Sequence, residues 1–384
     1  MTVRRSREIE PMNEGRYRLL AAAALAGDAA ALGALPEADQ RLLVRWIVDQ
    51  RLSTLLLGAC PDSGEFEFVR TALSKGARRE TLLTALQERE LQRVLSALGA
   101  AGIVPILLKG AVLAYTVYPI AAQRPRNDSD FMICDEDALR VRAILEGLGY
   151  EHAIETEGTL IRSQFQYRRT ETSGLRHACD VHLKLANPQA YADAFTYDEL
   201  RDDAVRLPAL HEHARGTSPV HSLVIASIHR IAHHYDDPDL AWLWDIHLLA
   251  KSLDTGEWER VVIVARQKQL SGVIAHSLER ARQTFGGAGC DDVTRQLARA
   301  ASDEPPPPLV SSRTVLDVAL SDSASLPTWA ARWELWRQHL FPPLSYLRVR
   351  YPGCPAALLP FAYAYRIGRG APKWLRGAHD KAAP

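Results

Sequence analysis

The sequence lacks an excess of charge of either sign. Its 384 residues include 46 Lys and Arg residues and 46 Asp and Glu residues, so the formal net charge at pH 7 is zero. A balanced chain creates no overall electric field that would attract nucleic acid or an anionic membrane. We therefore expect no direct nucleic-acid partner, and any anionic ligand must be bound by a local cluster of cationic side chains.

Cysteine is scarce, and the cysteines lie far apart in the chain. A zinc ribbon needs Cys-x-x-Cys pairs, and a disulfide framework needs many cysteines in a short chain, so neither is expected here. The pattern favours reduced thiols and predicts a cytoplasmic location. The five cysteines are Cys60, Cys134, Cys179, Cys290 and Cys354.

Long uninterrupted hydrophobic runs are also lacking. One long apolar stretch, residues 98–122, is broken by Pro105, Lys109, Gly110 and Pro119. These interruptions predict a buried strand, a turn and a helix rather than a membrane span. The N-terminus is basic but has no apolar core followed by a cleavage site, so we predict no signal peptide.

What the sequence does contain is an ordered succession of helical and strand-like segments. Residues 14–100 are predicted to form an N-terminal helical segment that packs on the core, and residues 101–215 an α/β core. Residues 216–303 are predicted to form a helical domain, and residues 309–384 a C-terminal helical region after the proline-rich linker. The predicted fold class is α+β, with a mixed sheet of about four or five strands flanked by helices.

Two aspartates stand where one predicted strand, in the segment SDFMI, begins. Alternate side chains of a strand point to the same face, so Asp128 and Asp130 share one face while Phe131 and Ile133 share the other. Two carboxylates this close raise one pKa unless a cation lies between them. The pattern therefore predicts a divalent metal site, and hard oxygen ligands favour Mg²⁺ or Mn²⁺.

A third aspartate has the same placement on a later predicted strand, CDVHLKL. Asp180 and His182 point to one face of this strand, and Val181 points to the other. If the two strands are neighbours in the sheet, three carboxylates converge. Such a group can hold one or two metal ions for a phosphoryl displacement.

The segment LLKGAV predicts a place for phosphate groups, because it ends a strand and opens a helix. Backbone N–H groups at Gly110 and Ala111 are free at such a helix start, beside the cationic Lys109. Arg124 and Arg126, just before the aspartates, could offset further negative charge on a triphosphate. For Lys109 an alternative stays open, in which its stem packs at the helix start and its ammonium group reaches solvent.

The order of these motifs resembles the DNA polymerase beta superfamily of nucleotidyltransferases, which has a glycine-containing turn, an Asp-x-Asp strand and a third Asp on a later strand. A closer resemblance is to the bacterial group called the uncharacterised nucleotidyltransferase family. It covers roughly residues 80–285 and is expected to extend into the Trp-rich tail. It is carried by four segments, LLKGAVLAYTVYPIAAQRPRNDSDFMI, LEGLGY, DVHLKL and HRIAHHYDDPDLAWLWDIHLLA.

The resemblance implies a metal-dependent transferase with an α+β fold. It gives the role of metal ligands to Asp128, Asp130 and Asp180, with Mg²⁺ or Mn²⁺ as the metal. The implied reaction moves a nucleoside monophosphate from a nucleoside triphosphate to an acceptor and releases pyrophosphate. The implied acceptor is a sugar, a small molecule or a peptide.

The resemblance also implies a phosphate-binding turn. It gives roles in phosphate binding to Lys109, Gly110 and Arg124. The superfamily usually has Gly-Ser or Gly-Gly at the turn where this chain has Lys109-Gly110, and the closer family shares that change. His182 is expected near the site, either as a nucleotide contact or as a hydrogen-bonded structural residue.

A second motif, HRIAHHYDD, leaves other functions open. His229 and His233 are one helical turn apart and could share a metal with Asp236 or Asp237, as in a metal-dependent phosphohydrolase. The motif lacks the Glu of His-Glu-x-x-His, which favours helix packing instead. A further alternative is a catalytically inactive fold that binds a nucleotide or a partner protein.

Two other helical patterns are interpreted as packing features. Asp245 is predicted to bond to a histidine or an arginine. The tryptophans at i, i+4 and i+7 predict an apolar stripe on one helix; they are Trp329, Trp333 and Trp336.

Overall fold

The computed structural model describes residues 11–152, 160, 163–234, 236–287, 289–306, 314–351, 355 and 358–374. Helices before the sheet are α1 (Pro11–Leu25), α2 (Ala30–Gly33), α3 (Glu37–Asp49), α4 (Ser53–Ala59) and α5 (Glu67–Ala100). Helices among the strands are α6 (Gly110–Thr116), α7 (Ala138–Gly147), α8 (Gln189–Ala192) and α9 (Tyr197–Asp202). Helices after the sheet are α10 (Pro219–Ala232), α11 (Leu240–Ser252), α12 (Thr255–Gln267), α13 (Ser271–Phe285), α14 (Asp291–Ala300), α15 (Val315–Ser325), α16 (Trp329–Leu340), α17 (Leu344–Arg350) and α18 (Leu359–Trp374).

A mixed sheet occupies the middle of the chain. In the described residues it has seven strands in the order β3-β4-β5-β2-β1-β7-β6. β2 pairs with β5 in parallel and with β1 in antiparallel orientation. The strands are β1 (Ile106–Leu107), β2 (Ser129–Met132), β3 (Glu151–His152), β4 (Gln164–Thr170), β5 (Arg176–His182), β6 (Val205–Arg206) and β7 (Arg215–Gly216).

The α+β fold class and its mixed sheet are confirmed. The sheet has more strands than the predicted four or five because β7, a strand of two residues, carries no pattern of its own. The sequence also predicts strands in the segments YEHAIE (150–155) and LIRSQFQYRR (160–169), of which residues 153–155 and 161–162 lie outside the described residues. The four-part division of the chain at residues 14–100, 101–215, 216–303 and 309–384 stays a prediction.

The sheet is covered on both faces, and this sets what each strand residue contacts. Phe131 and Val181 belong to a buried cluster with Leu95 and Leu98 of α5. Met132, one residue after Phe131, belongs to a second cluster that includes side chains of α10. Since side chains alternate along a strand, the face that carries Met132 also carries Asp130.

Local signals explain the two helices that frame the site. Helix α5 ends where Gly102 takes a φ of 71° and Ile103 N donates to Leu98 O at 2.9 Å. Helix α10 begins at Ser218, whose hydroxyl accepts a hydrogen bond from His221 N at 3.3 Å, with Pro219 in the first turn. Helix α10 is buried along most of its length, so its histidines lie in an apolar environment.

The C-terminal helices attach to the core through polar contacts. Asp322 of α15 accepts a hydrogen bond from Gln189 N at 2.8 Å, and Gln338 of α16 accepts one from Leu160 N at 3.0 Å. The predicted apolar tryptophan stripe is wrong as a packing surface, because Trp329 and Trp333 are 82% and 72% exposed. Helical spacing identifies one face of a helix but does not say what covers it.

Two further features concern the described part of the chain. None of its helices combines the length and hydrophobicity needed to cross a bilayer. The described cysteines, Cys60, Cys134, Cys179 and Cys290, are free thiols.

Candidate active site

The three predicted metal-binding aspartates lie on two neighbouring strands. β2 and β5 run in parallel, and the residue paired with Asp130 across the ladder is Asp180. Asp128 directly precedes β2, and its carboxylate interacts electrostatically with both Asp130 and Asp180. The structure therefore brings Asp180 beside Asp128 and Asp130, from which it is far removed in the chain, while the role of the three carboxylates as metal ligands stays a prediction.

Asp130 is held by two partners. Its Oδ1 accepts hydrogen bonds from Lys109 Nζ at 2.8 Å and from His182 Nε2 at 3.0 Å, and the residue is buried. Burial alone would raise the pKa of Asp130, but the positive charge of Lys109 and the hydrogen bond from His182 outweigh it and lower the pKa well below its usual value. Asp130 is therefore ionised at neutral pH.

Lys109 reaches Asp130 from an unusual backbone conformation. Between β1 and α6 its backbone has φ 54° and ψ −133°, which residues with a side chain rarely adopt. Glycine adopts this conformation freely, and the superfamily that the sequence resembles usually has glycine at this turn. The strain costs about 1–3 kcal/mol. It is offset in part by the ion pair with Asp130.

His182 is completely buried and supports Asp130 from the end of β5. Because the carboxylate of Asp130 can only accept, His182 Nε2 carries the hydrogen and donates it. Within the described residues, His182 Nδ1 has no hydrogen-bond partner. His182 is thus hydrogen-bonded to Asp130, and its role as a nucleotide contact stays a prediction.

The pKa values of Asp128 and Asp180 are shifted in the opposite direction from that of Asp130. Burial, and then repulsion from Asp130 and Asp180, raises the pKa of Asp128 to about 7. Burial and repulsion from Asp130 also raise the pKa of Asp180, whose Oδ1 accepts a hydrogen bond from Gln166 Nε2 at 2.8 Å. These two carboxylates lack sufficient positive charge, so an added cation would stabilise the site.

The donor set fits a divalent metal in its chemistry but is not arranged as a finished site. Three carboxylates supply the hard oxygen atoms that Mg²⁺ and Mn²⁺ prefer. In the part of the chain that the structure describes, however, no group of three His, Cys, Asp or Glu side chains has the spacing of a metal site. Lys109 provides the positive charge at Asp130 instead. A metal ion would have to replace this ion pair.

Arg124, a predicted phosphate ligand, forms a buried ion pair. Its Nε donates to both oxygens of Asp245, at 2.7 and 2.9 Å, and the Tyr118 hydroxyl donates to Asp245 Oδ1 at 2.7 Å. Burial alone would lower the pKa of Arg124, but Asp245 outweighs burial and raises it. The prediction that Asp245 bonds to a histidine or an arginine is confirmed.

Arg124 also lies beside the predicted phosphate turn. A Cβ added to Gly110 would be 3.5 Å from the Arg124 guanidinium carbon. The structure thus brings Gly110, Lys109 and Arg124 to one place, as the resemblance implies. Of the two cationic residues at this turn, Lys109 forms an ion pair with Asp130, whereas Arg124 forms its ion pair with Asp245.

Arg126 has no such acidic partner in the described part of the chain. It is 5% exposed, and none of its guanidinium nitrogens has a hydrogen-bond partner among the described residues. Its guanidinium carbon is 5.9 Å from the centroid of the Tyr115 ring. Its backbone carbonyl accepts a hydrogen bond from Gln87 at 2.8 Å. Arg126 therefore adds positive charge to the loop that leads to Asp128.

The histidine motif lies near the aspartates. The rings of His229 and His233 are 5.2 Å apart, and His229 Nε2 is 3.2 Å from His234 Nε2. Burial lowers the pKa of His229 and of His233 well below the usual value, and the charge of Lys109 lowers both further. These histidines are therefore neutral at pH 7 and form one wall beside the Lys109–Asp130 ion pair.

The acidic residue expected to join these histidines has other partners. Asp236 forms an ion pair with Arg230, and its Oδ2 is 3.0 Å from His276 Nε2. No metal-binding group of three side chains includes His229 or His233 among the described residues. The structure does not assemble the His229, His233 and Asp236 set of a metal-dependent phosphohydrolase.

Gln166 is the site residue that sequence reasoning missed. It lies on β4 directly opposite Asp180 of β5, and its amide holds Asp180 Oδ1. The alternation in β4 places Gln166 on a definite face. The sequence does not reveal that β5 lies alongside β4. Gln166 therefore could not be distinguished from a solvent-exposed glutamine.

Comparison with known proteins identifies the family. No curated protein matches the chain. The profile of a family described as uncharacterised nucleotidyltransferase matches residues 36–286, which contain the sheet, the aspartates and the histidine motif. The match spans more than half of the chain. The chain therefore belongs to the uncharacterised nucleotidyltransferase family and is an enzyme of nucleotidyl transfer.

Proposed function

We propose that this enzyme transfers a nucleoside monophosphate from a nucleoside triphosphate to an acceptor hydroxyl group, with Mg²⁺ as the metal and Mn²⁺ as its substitute. The acceptor is a sugar, a small molecule or a peptide. The enzyme acts in the cytoplasm and has no direct nucleic-acid partner.

One observation carries this proposal, namely the pairing of Asp130 with Asp180 across parallel strands, with Asp128 at the entrance to β2. The three carboxylates repel one another, Asp130 being buried and Asp128 and Asp180 partly buried, and among the described residues Lys109 places an ammonium group in direct contact with Asp130. Such a group is stabilised by a divalent cation and a substrate that arrives with it. The family match to nucleotidyltransferases supports the same reaction class.

Asp128, Asp130 and Asp180 are the residues assigned to hold the metal. When bound, a divalent cation would neutralise charge on the triphosphate and on the leaving pyrophosphate. Asp128, with its pKa of about 7, must give up its proton to become a ligand. Asp130, ionised already, needs only to exchange Lys109 for the metal.

Asp180 is assigned to orient the acceptor and to take its proton. The acceptor oxygen forms a bond to the α-phosphorus, and the bond from the α-phosphorus to the bridging oxygen breaks to release pyrophosphate. The acceptor proton passes to the carboxylate of Asp180. A carboxylate with a raised pKa is a stronger base, and Gln166 fixes its orientation.

Lys109, Gly110 and Arg124 are assigned to the phosphate groups. With a metal ion held by Asp130, the ammonium group of Lys109 would be available to contact a phosphate oxygen. Gly110 leaves room for this approach because it has no Cβ, and Arg124 lies next to it. His182 keeps Asp130 in place during the exchange.

The test uses nucleoside triphosphates labelled at the α- or the γ-phosphate, with Mg²⁺ and a cell metabolite extract. We expect the wild type to transfer the α-label to a product and to release labelled pyrophosphate from the γ-label. Asp130→Ala should abolish both. Nucleotide binding without turnover in the wild type would instead establish an inactive binding protein.

A matched pair of variants separates transfer from phosphohydrolysis. The double variant His229→Ala and His233→Ala should keep the ability to release pyrophosphate at a reduced rate, since these side chains only form a wall near the ion pair. Loss of all activity in this variant, with activity retained in Asp130→Ala, would move the chemistry to the histidine motif.

A further inference from the structure

The C-terminal helices line a large cavity, open to solvent on one side, that no role assigned above explains. Its volume is about 930 Å³, and its walls come from α15, α16, α17 and α18. These helices lie beyond residues 36–286, the span that matches the family. Pockets for small molecules commonly have volumes of about 300–1,000 Å³. The cavity therefore has the size of a site for a small molecule.

The walls combine aromatic surface with positive charge. Trp336 and Trp374 stack with ring centroids 5.8 Å apart and form an apolar wall. Arg366 lies 5.7 Å from the centroid of the Tyr346 ring and donates a hydrogen bond to the His339 carbonyl at 2.8 Å.

Positive charge exceeds negative charge in this lining. Arg350, Arg366 and Arg369 all line the cavity, whereas Asp322 is its one acidic residue among the described lining residues. Arg369 donates a hydrogen bond to the Tyr365 hydroxyl at 2.7 Å, so its charge is not cancelled by a carboxylate there. An apolar wall with excess arginine suits a ligand that has an apolar body and an anionic group.

The cavity extends towards the aspartates. A smaller cavity of about 240 Å³ shares Val318, Asp322 and His339 with the large one and is also lined by His233. The charges of Lys109 and Asp130 both act on the pKa of His233, so the electrostatic influence of that ion pair reaches this end of the cavity. A ligand in the cavity would have one end near the proposed reaction centre.

We propose that this cavity is the acceptor site, and that the acceptor is a small anionic amphiphile with an apolar or aromatic body and a carboxylate or phosphate group. The arginines bind the anionic group, the tryptophans contact the body, and the hydroxyl end extends past His233 towards Asp180. This proposal rests on the proposed function, since an acceptor exists only for a transferase.

Two glycines of α18 provide matched variants for a test. Gly370 lines the cavity and Gly368 does not. At both positions an added Cβ meets no atom within 4 Å, so the first side-chain atom fits equally well at each. Gly370→Trp should fill part of the cavity, whereas Gly368→Trp changes the helix in the same way without filling it.

The first measurement uses the fluorescent probe 8-anilinonaphthalene-1-sulfonate, an anionic aromatic molecule, and its uncharged analogue N-phenyl-1-naphthylamine. We expect Gly370→Trp to weaken binding of the anionic probe by about tenfold or more, a loss of at least about 1.4 kcal/mol, while Gly368→Trp leaves it unchanged. Equal binding by both variants would overturn the assignment of the cavity as a binding site.

Arginine variants test the charge requirement. The double variant Arg350→Gln and Arg369→Gln should bind the anionic probe about tenfold more weakly and bind the uncharged analogue as tightly as the wild type does. Arg348→Gln, on the same helix as Arg350 but outside the cavity wall, is the control. If the double variant binds both probes more weakly by the same factor, the cavity recognises only the apolar body of the ligand. The anionic part of the proposal is then wrong.

The second measurement connects the cavity to transfer. Calorimetry should show equal nucleotide binding by the wild type and both glycine variants, while only Gly370→Trp loses transfer of the α-label to extract metabolites. If the wild type neither binds nor turns over nucleotide, the proposed function fails and the acceptor role fails with it. If Gly370→Trp transfers label as well as Gly368→Trp, only the cavity inference fails.

Discussion

Lys109 Nζ lies 2.8 Å from Asp130 Oδ1, and Lys109 makes this contact from a backbone φ of 54°. A strained residue persists only when its surroundings hold it in place, and here the ion pair does so. The superfamily that the sequence resembles usually has glycine at this turn. The lysine therefore supplies a positive charge to the aspartates at a cost in backbone strain.

Substitution of Lys109 separates charge from strain. Lys109→Met keeps the strain and leaves Asp130 without its main cation, so we expect a loss of about 3 kcal/mol in the free energy of unfolding. Lys109→Gly removes the charge and also the backbone strain. We therefore expect this variant to be about 1 kcal/mol more stable than Lys109→Met. Urea unfolding measures both values, with Lys75→Met on exposed α5 surface as the control.

The same variants test the metal site. If a divalent cation replaces Lys109 at Asp130, Mg²⁺ should raise the Tm of Lys109→Met more than it raises the Tm of the wild type. Thermal unfolding with and without Mg²⁺ provides the measurement. An equal response in both proteins would mean that the metal does not bind at Asp130.

The affinity for Mg²⁺ should depend on pH through Asp128. Its pKa of about 7 means that the carboxyl group carries a proton at pH 6 and is ionised at pH 8. Because a proton and a metal compete for the same carboxylate, we expect affinity about tenfold weaker at pH 6 than at pH 8. Calorimetry between pH 6 and pH 8 measures how the Mg²⁺ affinity changes with pH. Asp128→Asn should weaken Mg²⁺ binding and make it less dependent on pH.

Asp128 should also affect stability in the absence of metal. Its pKa is raised from 3.8 in the unfolded chain to about 7 in the folded protein, so the folded state binds a proton that the unfolded state has released. Stability therefore falls as the pH rises from about 4 to about 7. Asp128→Asn should reduce this fall, which urea unfolding at several pH values can measure. An unchanged pH dependence would show that the carboxyl group titrates normally.

Asp180 and Gln166 should differ in their effects on catalysis. Asp180→Asn removes the proposed base and should lower kcat by about a thousandfold. Gln166→Leu removes only the hydrogen bond that orients it and should lower kcat by about tenfold with little change in KM. Gln166→Glu places a negative charge beside Asp180 and should move the rising limb of the pH–rate profile to higher pH. A purely structural glutamine would leave that limb in place.

The Arg124–Asp245 ion pair should contribute to stability, because both side chains are buried. Asp245→Asn leaves the charge of Arg124 buried without its partner, and we expect destabilisation of about 3 kcal/mol. Glu146→Gln, in an exposed pair with Arg142 on α7, should change stability by less than about 0.5 kcal/mol. Urea unfolding of both variants tests the contrast. A small effect at Asp245 would favour a functional rather than a structural role for the pair.

Local periodicity predicted the orientation of the aspartates. Side chains alternate along every strand, so the spacing of Asp128 and Asp130, and the position of Asp180 among apolar neighbours, fixed the face on which each lies. The same rule could not say that β2 and β5 are adjacent. Register between strands depends on which apolar faces pack together, and this information is spread over the whole chain.

Contacts between distant residues were accessible only in part. A partner for Asp245 was expected among arginines and histidines, but Arg124 is 121 positions away and nothing local selects it. The Lys109–Asp130 contact depends on the positive φ of Lys109, and lysine is not a residue type that signals such a conformation. The prediction that the tryptophans of α16 form a packing surface was wrong for a related reason. Their spacing shows that they share one face of the helix, but it does not show which element packs against that face.

The sequence by itself determined the class of fold and the face of each strand that carries acid, because backbone geometry imposes periods of 2.0 and 3.6 residues on any chain. The tertiary structure decided that Asp180 lies beside Asp130, that Lys109 holds the position where a cation is expected, and that the C-terminal helices line a cavity. These features arise from the packing of elements far apart in the chain, whose free energy depends on three-dimensional contacts rather than on any local pattern of residues.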